Sequence, residues 1–225
     1  MGTDNLFHKR KARTARQLSR RKARRAPYAK VLIVCEGEKT EPHYFSGLKD
    51  HYELNSANVE ICGDCGSDPV GIVNYGKQRY REERDVGDAF DKVYCVFDKD
   101  AHTNYQRAID LIRGATPKDT FVAINSVPCF EYWLLLHFDY TTQPFSGQLG
   151  KSACAQVIDA LKNFIPDYAK GDGDIFPRLV DQLPFAIDNA ERALRAATAN
   201  DTDNPTTRVH ELVRFLQTEP DRQGP

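Results

Sequence analysis

The segment VLIVCEGEKTEPHYF, residues 31–45, carries the clearest fold signal in the chain. Its first five residues form an uninterrupted apolar run, which is typical of a strand buried on both faces of a parallel sheet. The run ends at Glu36-Gly37, and Thr40 is then a candidate N-cap for a helix with Pro42 in its first turn. The segment therefore predicts a strand, a short polar turn and a helix.

The same alternation of strands and helices continues along the chain. Further strands are predicted at residues 59–62, 91–98 and 120–125, and helices near residues 69–84 and 103–114 separate them. Strands that alternate with helices of this length favour a parallel sheet joined by right-handed crossovers. We expect an α/β fold with a four-stranded parallel sheet flanked by helices.

From residue 126 onward the pattern becomes helical, and clusters of Pro and Gly separate the helical segments. The predicted helices lie at residues 129–137, 152–164, 175–180, 184–197 and 206–216. We therefore divide the chain into three parts. They are a basic arm at 1–27, which we expect to be disordered, an α/β core at 28–140, and a helical C-terminal part at 141–225 that packs on the core.

The composition is that of an ordinary folded protein, with 225 residues of which 40% are hydrophobic and 28% charged, and it excludes a disordered chain. The most apolar short run, residues 130–138, is shorter than the roughly 20 residues of a transmembrane helix, so we expect no membrane partner. No apolar segment follows the basic N-terminal residues, which argues against a secretory signal but leaves a transit peptide open. Six cysteines in mostly apolar contexts suit a reducing compartment, and we expect a cytoplasmic protein.

The net charge of −1 conceals a strong asymmetry. Residues 1–30 carry eleven Lys or Arg and one acid, whereas the rest of the chain carries 20 bases and 31 acids. A basic arm of this kind can neutralise phosphates and bind nucleic acid without reading its sequence, and we favour this role. The alternatives are a solvated tail or a contact with the acidic body or with a partner. The candidate nucleic-acid contacts in the arm are Lys9, Arg10, Lys11, Arg20, Arg21, Lys22, Arg24 and Arg25.

Two of the predicted strands end in carboxylates. Glu36 follows the first strand, and Asp98 and Asp100 follow the third. Residues i and i+2 of an extended chain point the same way, and parallel strands open their carboxyl ends onto one crevice, where ligands bind. If the first and third strands are neighbours, the three acids meet and favour a hard cation, Mg²⁺ or Mn²⁺. Alternatively, the acids belong to ordinary turns and helix caps.

Several other residues are candidates for the same site. Lys39 and Lys99 could contact phosphate, although solvated lysines are common on any surface. His102 could accept or relay a proton, or simply begin a helix. Glu131 could be a further metal ligand, or an acid that stabilises the positive end of a helix dipole.

The motif Cys62-Gly63-Asp64-Cys65 has the spacing of a metal or redox pair. Zinc needs about four ligands, and the sequence offers no second Cys-x-x-Cys or paired His motif. Nothing resembling a helix start carries the pair either. We therefore expect neither a zinc site nor a redox pair here.

Four blocks together resemble the RloB-like family, bacterial proteins linked to abortive-infection and restriction loci. The blocks are residues 31–45, the VFDKD segment at 96–100, the PCFEYWLLLHF segment at 128–138 and the NPTTRVHELV segment at 204–213. The resemblance spans about residues 28–216, and the first and third blocks are specific rather than generic.

The family is in turn similar to TOPRIM domains, which act on phosphodiesters with Mg²⁺. The resemblance implies a TOPRIM-like core with an α-helical C-terminal extension, in which Glu36 is the glutamate of the first strand and Asp98 and Asp100 are the Asp-x-Asp pair. It also implies a metal-dependent nuclease that acts as a toxin or effector in phage defence. In such an enzyme we expect Glu36, Lys39 and His102 to take part in catalysis.

The partners that the resemblance implies are DNA or RNA, including tRNA, and an AAA-type ATPase encoded nearby. The sequence also leaves open whether the protein forms a homo-oligomer. The rival hypothesis is a non-catalytic module that binds nucleic acid or a nucleotide and regulates that ATPase.

Overall fold

The computed structural model describes residues 29–54, 56, 58–66, 68–99, 102–147 and 150–218. Within these residues a five-stranded sheet has the order β2-β1-β3-β4-β5. Its first four strands are parallel, and β5 pairs antiparallel with β4. The strands are β1 (Val31–Cys35), β2 (Val59–Cys62), β3 (Lys92–Asp98), β4 (Phe121–Val127) and β5 (Thr206–Thr207).

The predicted α/β class is confirmed, but the prediction of four strands misses β5. This strand has only two residues, and the sequence around it reads as the start of a helix. Thr207 contributes both to the strand and to the start of the following helix. It pairs with Ser126 across the sheet, and its hydroxyl accepts a hydrogen bond from the main-chain N–H of Val209 at 3.2 Å. Strand pairing over so short a length leaves no periodic pattern to detect.

Seven α-helices surround the sheet in the described part of the chain. The predicted helix at 175–180 is wrong: turns occupy most of this segment, and a single 3₁₀ turn follows at Val180–Gln182. None of the described helices is long and apolar enough to cross a membrane. The helices are α1 (Thr40–His51), α2 (Pro69–Asp85), α3 (Tyr105–Arg113), α4 (Glu131–Leu135), α5 (Ala153–Leu161), α6 (Leu183–Ala199) and α7 (Val209–Thr218).

The caps of the first two helices differ from each other. Asp68 caps α2, because its carboxylate accepts two main-chain N–H groups of the first turn at 3.0 and 3.2 Å. The predicted N-cap of α1 is wrong. Lys39 holds that position without a side-chain bond, and the Thr40 hydroxyl instead accepts the main-chain N–H of Gly171 at 2.9 Å. This bond fastens the loop after α5 to the start of α1.

The alternation of β1 explains why its apolar run is continuous. Val31, Ile33 and Cys35 face one hydrophobic cluster, whereas Leu32 and Val34 face the other, and all five side chains are fully buried. Helices α1 and α4–α7 cover the first face, while α2 and α3 cover the second. Residues from both predicted segments, 28–140 and 141–225, share the first cluster.

The strand order creates a topological switch point between β1 and β3. The chain leaves β1 outward to β2 and then returns to the other side of β1 as β3. In open α/β sheets, ligands bind in the crevice at the carboxyl ends of the two strands that flank such a point. Glu36 and Asp98 stand at those two ends.

Candidate active site

Glu36 and Asp98 are in direct contact at the switch point. The main-chain N–H of Asp98, the last residue of β3, donates a hydrogen bond to Oε2 of Glu36 at 3.0 Å. Glu36 in turn continues the ladder of β1, since its own N–H donates to the carbonyl of Val96 at 3.0 Å. The condition that the first and third strands be neighbours is therefore met.

The second carboxylate oxygen of Glu36 contacts a histidine. His102 Nε2 lies 2.7 Å from Glu36 Oε1, and both side chains are only partly exposed. Burial raises the pKa of Glu36, while the N–H of Asp98 and the imidazole of His102 oppose that rise. The residue predicted for proton transfer thus touches the residue predicted for metal binding.

Asp68 completes this side of the site. It interacts electrostatically with both Glu36 and His102. Partial burial would raise the pKa of Asp68. The hydrogen bonds from the N–H of Gly71, the side chain of Asn104 and the N–H of Val70 outweigh this effect and lower the pKa. Asp68 is therefore a fixed negative charge beside the imidazole.

The carboxylate of Asp98 has a different set of neighbours. It accepts the main-chain N–H of Phe130 and interacts electrostatically with Glu41, Glu131 and Glu36. Burial raises the pKa of Asp98 well above its ordinary value, and the three nearby carboxylates raise it further. The residue keeps part of its surface accessible, so a ligand can reach this crowded acidic group.

Glu41 is the acidic residue that the sequence did not single out. It lies in the first turn of α1, and burial together with the charges of Glu131 and Glu36 raises its pKa to about 7. Gly37 makes room for it, because a Cβ atom at Gly37 would lie only 2.0 Å from Glu41 Oε2. The sequence did contain a signal for Glu41. An acid in the first turn of a helix that follows a strand lies at the same edge of the sheet as the end of that strand.

Glu131 lies in the site, but it is not a simple helix-dipole residue. Its side chain is 2% exposed, and Oε1 accepts a hydrogen bond from Tyr168 Oη and an ion pair from Lys170 Nζ, both at 3.2 Å. Oε2 lies 3.4 Å from the sulfur of Cys154. These partners follow Glu131 by 23 to 39 positions, and no local pattern in the sequence announces them.

The two candidate lysines are held differently. Lys39 is exposed, and its aliphatic chain packs against Gly171 of the loop fastened to Thr40. Lys99 forms an ion pair with Asp203 and lies over the ring of Tyr105, 5.8 Å from its centroid. A role for either lysine in phosphate binding stays a prediction.

Two groups of predicted site residues lie outside the described part of the chain. Asp100 follows the last described residue of the β3 exit, so its contribution to the cluster stays a prediction. The basic residues of the arm, from Lys9 to Arg25, also lie outside the described residues.

Cys62 and Cys65 form a disulfide, contrary to the expectation that they are not a pair. Asp64 adopts a left-handed backbone conformation with φ of 58°, so the turn folds back and brings the two sulfurs together. The turn lies at the carboxyl end of β2, and Gly63 packs close to the carbonyl of Gly37, so a Cβ atom there would lie 3.0 Å from that oxygen. The remaining four cysteines are free and buried.

The arrangement fits a divalent cation with oxygen ligands. Asp98 interacts electrostatically with Glu36, Glu41 and Glu131. Burial raises the pKa of Glu36, Glu41 and Asp98, and the neighbouring glutamates raise the pKa of Glu41 and Asp98 further. A hard cation such as Mg²⁺ relieves this repulsion and takes a few carboxylates, leaving positions for water and phosphate oxygens. Glu36, Asp98 and Glu41 could hold such an ion.

The fold and this cluster define an α/β protein with an acidic site at a topological switch point. A model of the RloB-like protein family matches residues 31–216. The chain therefore belongs to the RloB-like family, which confirms the resemblance of its motifs. Comparisons with curated proteins and with solved structures gave no match.

Proposed function

We propose that the protein is a metal-dependent nuclease, in which Glu36 and Asp98 bind Mg²⁺ or Mn²⁺ and phosphodiester bonds are hydrolysed. The observation that carries this proposal is the contact between Glu36 and the main chain of Asp98 at the switch point. A glutamate after the first strand and an aspartate at the end of the third form the arrangement that the TOPRIM resemblance implies. Asp100 and Glu41 are the further ligands that we propose.

The residues of this chain divide the chemistry among them. A bound divalent ion would supply charge neutralisation at the scissile phosphate and a lowered pKa for its water ligand. His102 lies 2.7 Å from Glu36 and interacts with Asp68, and in this proposal it would take up a proton from water or return one to the leaving group. Lys170 brings a positive charge to the edge of the cluster, where its side chain is 59% exposed.

The biological role that we propose is that of a toxin or effector in phage defence. The support is membership of the RloB-like family and the charge asymmetry of the chain. The basic arm would bind DNA or RNA through phosphates, and a nearby AAA-type ATPase would be the partner. A nucleic-acid contact of this type weakens steeply as salt increases.

The test uses the full chain and two substrates. DNA and tRNA are incubated with the protein in Mg²⁺ and in EDTA, with and without the ATPase. We expect cleavage that needs Mg²⁺ and that Asp98→Asn abolishes. The exposed variant Asp181→Asn serves as a matched control and should cleave normally. Metal binding without cleavage of either nucleic acid in any condition would support the regulatory module instead.

A further inference from the structure

Beside the carboxylate cluster lies a second group of metal-binding side chains. Cys129 lies two residues before Glu131, the first residue of α4, and Cys154 lies in α5. One ligand atom of each of these three residues lies within 4.8 Å of the other two, and all three side chains are buried. The phosphodiester hydrolysis proposed at Glu36 and Asp98 does not use the thiols of Cys129 and Cys154.

We propose that Cys129, Cys154 and Glu131 bind a thiophilic divalent ion, of which zinc is the best fit. Thiolate sulfur is a soft ligand, and zinc combines it readily with carboxylate oxygen, whereas Mg²⁺ does not favour sulfur. This site is separate from the Mg²⁺ site proposed at Glu36 and Asp98, and the proposal does not depend on that site.

The distances suit tetrahedral coordination. With zinc–sulfur bonds of about 2.3 Å and zinc–oxygen bonds of about 2.0 Å, a sulfur and an oxygen ligand lie roughly 3.5 Å apart. Cys154 Sγ and Glu131 Oε2 are separated by 3.4 Å. The two thiols also contact each other through a hydrogen bond. Only small shifts would therefore place all three atoms around one ion.

The second oxygen of Glu131 is already held by outer partners. Tyr168 and Lys170 both contact Oε1, which leaves Oε2 directed at Cys154. Carboxylates that bind metal are commonly oriented by hydrogen bonds of this kind.

Charge balance supports the same assignment. Binding converts two thiols to thiolates and releases two protons, so the three ligands carry three negative charges. The ion and the ammonium group of Lys170, whose side chain is 59% exposed, together carry three positive charges, so the ligands, the ion and this ammonium group are neutral in sum. A neutral group avoids the large cost of an unpaired buried charge. The ion would also link the exit of β4 to α5 and so stabilise the packing of the two segments.

The test measures metal content rather than nuclease activity. Full-length protein purified without chelator is analysed by inductively coupled plasma mass spectrometry, and about one zinc ion per chain is expected. Cys154→Ala and Cys129→Ala should reduce the zinc content to near zero. Cys95→Ala removes an equally buried cysteine on the other face of the sheet and should leave it unchanged.

A second control addresses the other cysteine pair. Replacing Cys62 and Cys65 together by serine should leave the zinc content unchanged, and a loss of zinc in this variant with retention in Cys154→Ala would overturn the proposal. If the cysteine variants do not fold, the wild-type protein still tests the proposal. Cobalt substituted into it should give the intense visible absorption of tetrahedral thiolate coordination. Folded wild type without zinc after growth in zinc-supplemented medium, or a disulfide between Cys129 and Cys154 in peptide mapping, overturns the proposal.

Discussion

The carboxylate of Glu36 accepts the main-chain N–H of Asp98 at 3.0 Å, across a sequence separation of 62 residues. This single bond joins the ends of two adjacent parallel strands and places one carboxylate beside the next. Because a main-chain group is the donor, the bond fixes Glu36 without occupying the side chain of Asp98. The Asp98 carboxylate stays available to a ligand.

The first prediction concerns this pair. Glu36→Gln can still accept the N–H of Asp98 through its amide oxygen, so the fold should persist, but it removes a negative charge from the proposed metal site. We expect Mg²⁺-dependent cleavage to fall by roughly a hundredfold or more, the scale for loss of one electrostatic group at a reacting centre. Glu38→Gln changes an exposed glutamate two residues away and should cleave as the wild type does. Equal activity in Glu36→Gln and wild type would remove Glu36 from the site.

The second prediction concerns Gly37. In Gly37→Ala the new Cβ would lie 2.0 Å from Glu41 Oε2, so the Glu41 carboxylate must move. We expect cleavage to fall by about a hundredfold, the scale for a displacement of about 1 Å near a reacting centre. Gly114→Ala is the matched control, since its Cβ would meet only a carbonyl at 3.4 Å. A Gly37→Ala protein with normal kinetics would show that Glu41 has no part in the reaction.

The third prediction concerns the ion pair of Lys170 with buried Glu131. Lys170→Met leaves a carboxylate that is 2% exposed without its cation. Loss of one partner of a buried pair is strongly destabilising, but the lysine is more than half exposed, so we expect a discounted loss of about 1–2 kcal/mol in the free energy of unfolding.

Urea denaturation with Lys151→Met as the control checks this. Lys151 and Asp159 form an ion pair in which both side chains are more than half exposed, so its loss should change the stability by less than about 0.5 kcal/mol. Similar losses in the two variants would show that Glu131 does not depend on Lys170.

The fourth prediction concerns acid stability. Burial lowers the pKa of His137 to about 4, and its Nδ1 lies 3.0 Å from the carbonyl of Trp133. The unfolded histidine titrates near pH 6.5. The folded protein therefore has its full stability above about pH 6.5 and loses up to about 3 kcal/mol from this group as the pH falls toward about 4, because the unfolded chain binds the proton first.

His137→Gln cannot take up this proton, so its stability should fall less than that of the wild type between about pH 7 and about pH 4.5. His210 also has a pKa lowered by burial to about 4, so part of the acid loss persists in the variant. The readout is the difference between the two proteins in thermal melts. His51→Gln, at an exposed position, should follow the wild type. A parallel decline of His137→Gln and wild type would contradict the assignment.

Much of the acidic site was predictable from local patterns. Glu36 and Asp98 each stand at the end of an apolar run that is typical of a buried strand. The carboxyl ends of parallel strands share one edge of the sheet, so the two acids lie close together if β1 and β3 are neighbours, and they are. Glu131 was also identified, but its partners Tyr168 and Lys170 lie on a loop that contacts α1 through the hydrogen bond from Gly171 to Thr40. A contact across 131 residues has no local signature.

The order of residues along the chain determined the α/β class, the four parallel strands and the family, because side-chain alternation and strand–helix spacing are properties of short segments. Tertiary structure alone decided the short strand β5, the disulfide of Cys62 and Cys65 and the meeting of Cys129 with Cys154. Each of these depends on how distant segments or a tight turn pack in space. Packing of that kind is a cooperative property of the whole core rather than of any window of the sequence.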